Sequence, residues 1–121
     1  MYSAADRALE SAESPSAAAD ARFGLACQAI LLAATAAMLA SGNRPIASEP
    51  GYHQLLIRAL TRTAGVEPRR VQVLEAFRLA RIRADYFGES VSDAVAAESV
   101  EEARDLLAQV RAWIDENRAS A

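Results

Sequence analysis

Apolar side chains recur at three- and four-residue spacing through most of this chain, the period of a helix that buries one face. Three segments downstream of residue 51 carry the pattern most clearly. From Tyr52 to Thr63 the apolar face is Leu55, Leu56, Ala59 and Leu60; over residues 70 to 87 it is Val73, Leu74, Phe77, Ala80 and Ala84. Over about residues 92 to 117 it is Val95, Val100, Ala103, Leu106, Leu107, Val110, Trp113 and Ile114. Upstream, residues 3 to 13 place Ala5, Ala8, Leu9 and Ala12 on one side of a short helix. The stretch from about Ser16 to Leu39 is apolar on all sides, which marks the central helix of a small bundle.

The punctuation fits those segments. Ser14-Pro15-Ser16 breaks the first helix and supplies an N-cap for the second. Gly42 and Gly65 stand where left-handed helix ends are expected, and residues 44 to 51, with Pro45 and Pro50, read as a loop. Glu67-Pro68 opens the fourth main segment with proline in its first turn, Gly88 ends it, and Ser90 or Ser92 caps the last. No segment alternates with period two, and no internal repeat is present. The pattern predicts one all-α domain over residues 1–121, an antiparallel bundle of four main helices plus a short N-terminal one. Leu31, Leu74, Phe77, Leu107 and Trp113 should meet in its core. Val71, Leu79 and Ile82 are expected on the outer side of the fourth main helix, more apolar surface than a four-helix bundle can bury.

Composition supports this picture. The chain has 121 residues, enough for one core but not two domains. Twenty-nine are alanine, the best helix former. The formal net charge of −3 excludes nucleic-acid binding driven by the charge of the whole molecule. A local cationic patch is conceivable at Arg69, Arg70, Arg78, Arg81 and Arg83, while acid gathers downstream at Glu98, Glu101, Glu102, Asp105, Asp115 and Glu116. The lone Cys27 allows no disulfide framework, in keeping with a reducing compartment. Residues 23 to 43 carry no charge and could span a bilayer by length. Their alanine content, together with Gln28, Thr35 and Ser41, weakens insertion. The preceding Asp6, Glu10, Glu13 and Asp20 are unlike the basic start of a signal peptide. A buried helix in a cytoplasmic protein without a membrane partner is the expectation.

Candidate chemistry concentrates in Arg78-Leu79-Ala80-Arg81-Ile82-Arg83-Ala84-Asp85-Tyr86-Phe87-Gly88. Arg78, Arg81, Ile82 and Asp85 share a face beside the apolar stripe, and Arg81 and Asp85, four apart, are spaced to pair. One reading makes Arg78, Arg81, Asp85 and Tyr86 a binding site, with Arg81 forking onto a phosphate or a partner's carboxylate and Tyr86 offering its hydroxyl or a stacking face. The other makes Arg81 and Asp85 an ion pair closing the core's edge, with the Tyr86 ring buried and its hydroxyl satisfied. His53, the only histidine, needs a second group in reach to act as a base, which requires that it fold back towards Arg81 and Tyr86. Arg81, Tyr86 and His53 are therefore the catalytic candidates. One His and one Cys, far apart, build no zinc site, and no glycine-rich phosphate loop or nucleophile elbow is present, so neither metal nor cofactor is expected.

An Arg followed by Ala-Asp-Tyr at the end of a core helix resembles the HEPN superfamily, in particular small bacterial members with an Arg-Asn-x-Ala-Asp-Tyr type sequence. Gly42-Asn43-Arg44-Pro45, Gly51-Tyr52-His53-Gln54, the short helix after them and a final Glu- and Ala-rich helix extend the resemblance loosely over about residues 16–118. The pattern departs at two positions. HEPN ribonucleases place a His four to six residues after the Arg, where this chain has Tyr86, and the usual Asn after the Arg is Ile82. The resemblance implies a homodimer and a non-catalytic binding or regulatory role in a toxin-antitoxin or phage-defence setting. It also implies RNA or a nucleotide as ligand and a nucleotidyltransferase-like antitoxin as partner. Two rival readings are a metal-independent ribonuclease using Arg81 with Tyr86 or His53 across a dimer, and a purely structural helical subunit.

Overall fold

The computed structural model describes residues 2–13, 18–42 and 51–120, and they are all-α, with no strand among them. Six helices follow one another: α1 (Tyr2–Glu13), α2 (Ala19–Ala40), α3 (Tyr52–Arg58), α4 (Leu60–Thr63), α5 (Pro68–Phe87) and α6 (Asp93–Ser120). The N-cap expected at Ser16 and most of the loop expected over residues 44 to 51 lie outside the described residues.

α2 touches each of the other five helices, which is why it is apolar all round. Its buried residues include Ala26, Ala29, Ala33, Ala34, Ala36 and Ala37. A methyl side chain loses no rotamer entropy on burial and lets neighbouring helices approach closely, so α2 can be enclosed on several sides. α1 and α6 are its most extensive neighbours. Ala5, Ala8, Leu9 and Ala12 of α1 are all buried, as the pattern of that segment predicts. Polar ties hold this part together: Arg22 Nε donates to the Ala12 carbonyl at 2.9 Å, and Arg111 donates to both Asp6 oxygens at 3.0 and 2.9 Å.

The segment expected as one helix from Tyr52 to Thr63 is two, breaking at the buried Ala59, whose ψ of −11° tightens the turn. That break changes the inward face. Leu56, Ala59 and Leu60 are buried as expected, but Ile57 is buried in place of Leu55, which is exposed. Gly65 takes φ 70°, and Thr61 Oγ1 donates to the Val66 carbonyl at 2.8 Å, closing the turn over a fully buried Val66. α5 then starts with Pro68 in its first turn.

Arg70 fastens the first turns of α5 to α6, donating twice to Glu102 at 3.2 Å and to Gln109 at 3.0 Å. This contact corrects one expectation: Arg70 is not part of an open cationic patch, because Glu102 of the acidic α6 stretch takes up its donors. Val71 is also buried, unlike Leu79 and Ile82, because the early turns of α5 are enclosed and the later ones are not. At the other end of the linker to α6, Ser92 Oγ accepts from Val95 N at 3.1 Å, so Ser92 supplies the cap. Leu74, Phe77 and Leu107 lie in the core, while Leu31 and Trp113 are partly buried and pack against its edge.

Candidate functional site

α5 carries the candidate motif and delivers it progressively outward. Leu74 and Phe77 are buried, and Phe77 meets Phe23 of α2 edge to face, centroids 6.0 Å apart at 77°. From Arg78 onward the helix rises from the core until Gly88, at φ 67°, ends it with its N–H on the Ala84 carbonyl at 3.1 Å.

Between α2, α3 and α5 this divergence leaves a groove of about 430 Å³. Ile30, Leu31, Leu32, Ile57, Leu74, Phe77 and Ile82 line its apolar part. Gln28, His53, Arg78, Arg81 and Asp85 supply its polar side chains, together with Thr35, whose hydroxyl donates to the Leu31 carbonyl at 2.7 Å, and Cys27. The structure thus brings together Arg78, Arg81, Asp85 and His53, four of the five candidates. Tyr86 is left out: it is 80% exposed and does not line the groove, which overturns the expectation of a buried ring with a satisfied hydroxyl.

The arginines are already engaged. Arg81 Nη1 donates to the Gly24 carbonyl of α2, clamping the later part of α5 to the central helix. Its Nε lies 3.7 Å from Asp85 Oδ2 with the side chains 37% and 62% exposed, so the expected ion pair forms but in water's reach, where such pairs contribute little. Arg78 places Nε and Nη2 each 3.1 Å from the two oxygens of Glu75, a two-bond fork within its own helix. Arg69 and Arg83 are exposed. The cationic patch suggested by the sequence is therefore split into internally neutralised arginines and separate exposed ones.

Cys27 is buried, its Sγ 3.9 Å from the Phe77 carbonyl. Burial pushes its thiol up to about 12, against an opposing pull from the Arg81 guanidinium, so at neutral pH it is a protonated wall residue and not a nucleophile. His53 is exposed, its ring centroid 5.6 Å from that of Tyr52. Among the described residues no group of three or more His, Cys, Asp or Glu could hold a metal ion.

Sequence reasoning missed the groove's apolar lining and the exposed Phe87. α2 offers no periodic signal to tell a groove wall from core, since it is apolar on every side. Phe87 did carry a signal: an aromatic residue in the last turn before a glycine cap sits where the helix has left its neighbours.

Compared with known proteins, the chain matches no family model, no curated protein and no solved structure.

Proposed function

We propose that this chain is a small non-catalytic binding or regulatory protein built as a HEPN-like antiparallel bundle, which self-associates through the face carrying Arg81. One observation carries the reading. The two arginines of the groove that would grip a phosphodiester are turned onto the chain's own acceptors, Gly24, Asp85 and Glu75, above an apolar lining. Such a site favours an apolar partner surface over a polyanion, because a phosphate must first displace the existing contacts. The motif resemblance supports a toxin-antitoxin or phage-defence setting with a nucleotidyltransferase-like partner. A cytoplasmic location goes with treating α2 as a core helix: it is long and apolar enough to cross a membrane, and 56% of its most apolar window is buried by the rest of the chain.

A second reading has one observation in its favour, that His53 and Arg81 both line the same groove. In a metal-independent ribonuclease, His53 would move the proton of a 2′-hydroxyl while Arg81 held the phosphate. One experiment separates the two readings. The purified protein, incubated with a mixed RNA substrate in chelator, is expected to leave it uncut and to bind it weakly. Cleavage abolished by either His53→Ala or Arg81→Ala would establish the ribonuclease instead.

A further inference from the structure

The groove between α2, α3 and α5 joins an aliphatic lining to one cation with donors to spare. Its volume of about 430 Å³ falls within the range of about 300 to 1,000 Å³ in which small-molecule sites lie. Leu31 and Leu32 of α2, Ile57 of α3 and Ile82 of α5 bring aliphatic side chains to it from all three helices. Of the charged residues that line it, Arg78 is neutralised by its fork to Glu75, which leaves Arg81 and Asp85. These two are held unequally. Arg81 is anchored through Nη1 to the Gly24 carbonyl and its side chain is 37% exposed, whereas that of Asp85 is 62% exposed. Asp85 Oδ2 reaches Arg81 Nε only at 3.7 Å, outside hydrogen-bond distance. Among the described residues the Gly24 carbonyl is the one oxygen hydrogen-bonded to Arg81, so the guanidinium keeps donors for a carboxylate.

We infer that this groove binds a small carboxylic acid with an aliphatic body, its carboxylate on Arg81 and its chain along the apolar lining. Charge complementarity selects the sign of the ligand. The better-covered member of the pair is the cation, and His53 and Gln28, which also line the groove, can each donate to an anion. An entering carboxylate displaces only Asp85, which is exposed enough to turn into water. A cationic ligand would have Asp85 as its one charged partner, at the more exposed position, where solvent leaves an ion pair little strength. An inorganic phosphate would bring charge with no body to cover the aliphatic walls. The inference goes beyond the proposed self-association and does not depend on it.

Calorimetric titration of the full chain with decanoate, hexanoate and decyltrimethylammonium, each below its micelle concentration, tests the assignment. Decanoate should bind once per chain with a Kd of about 100 µM. Hexanoate should bind about 100-fold more weakly, since each buried methylene changes affinity about threefold to fourfold and it has four fewer. Decyltrimethylammonium, with the same chain and the opposite charge, should bind at least about tenfold more weakly than decanoate. Asp85→Asn should tighten decanoate binding about threefold by removing the competing carboxylate, a gain that loss of folding cannot mimic. Arg81→Ala, measured where circular dichroism shows it folded, should weaken binding at least about tenfold. Ile82→Glu, at a position 38% exposed, should do the same while leaving both members of the ion pair in place. No saturable binding of decanoate up to about 1 mM overturns the inference. So does equal affinity for the cation of the same length, or for hexanoate, or a decanoate affinity that neither Asp85→Asn nor Arg81→Ala changes.

Discussion

Replacing Arg81 with Ala tests which of its two contacts holds α5 to α2. The Arg81–Asp85 pair is 37% and 62% exposed, and an i,i+4 pair in that setting contributes only about 0.3 to 0.5 kcal/mol. The hydrogen bond to the Gly24 carbonyl joins a charged donor to a helix fifty-seven positions away in sequence and is half-buried, which places it in the range of about 1.5 to 3 kcal/mol. Gly24 lies inside α2, so its carbonyl can keep a helical partner when the guanidinium is removed, which sets the cost towards the lower end of that range. The expected loss is about 2 kcal/mol, or about 8 °C in melting temperature for a domain of this size. Asp85→Ala removes only the exposed pair and should cost about 0.5 kcal/mol or less. Thermal melts of Arg81→Ala, Asp85→Ala and the double variant decide the matter. If Asp85→Ala is as damaging as Arg81→Ala, the energy lies in the ion pair and the clamp argument is wrong. An Arg81→Ala variant that melts with the parent would refute both contributions.

Two further predictions concern the core. Phe77→Ala, which removes the edge-to-face partner of Phe23 from a buried site, should destabilise the fold by about 3 to 5 kcal/mol in urea titrations, far more than Leu79→Ala on the same helix. Cys27 should give the fold an alkaline limit. Its folded pKa is raised to about 12 from 9.0, so its contribution is intact below pH 9 and is lost as pH rises towards 12, because only the unfolded chain gives up the proton there. The slope contributed by this residue is about 1.4 kcal/mol per pH unit, and Cys27→Ala should flatten the alkaline arm of a stability profile. A parent and a variant with parallel arms between pH 9 and 11 would show that the thiol titrates normally.

The helices of this chain were legible from local rules. Periodicity located α1, α5 and α6 within a few residues, and Gly42, Gly65 and Gly88 all take the positive φ that a helix end requires. Ser92 caps where a serine before an acidic, apolar-periodic run should cap. These features depend on near neighbours in sequence, so sequence alone determined them. Two outcomes depended on packing instead. The break at Ala59 swapped Leu55 for Ile57, because two short helices aim their side chains differently from one long one. The divergence of α5 from the bundle buried Val71 and stranded Tyr86, although both belong to one continuous helix with no internal sign of a change.

The site divides in the same way. The Arg81–Asp85 pair was readable because both residues sit on one helix, four apart. The bond from Arg81 to Gly24, the link from Arg70 to Glu102 and the meeting of His53 with Arg81 in one groove join residues from 28 to 57 positions apart. An arginine's reach and charge can be known from the sequence, but the acceptor that takes up its donors is chosen by which helix packs beside it. Here that choice turned Arg81 onto Gly24 of α2, while Arg78 paired with Glu75 of its own helix, and the later turns of α5 were left with apolar side chains facing out.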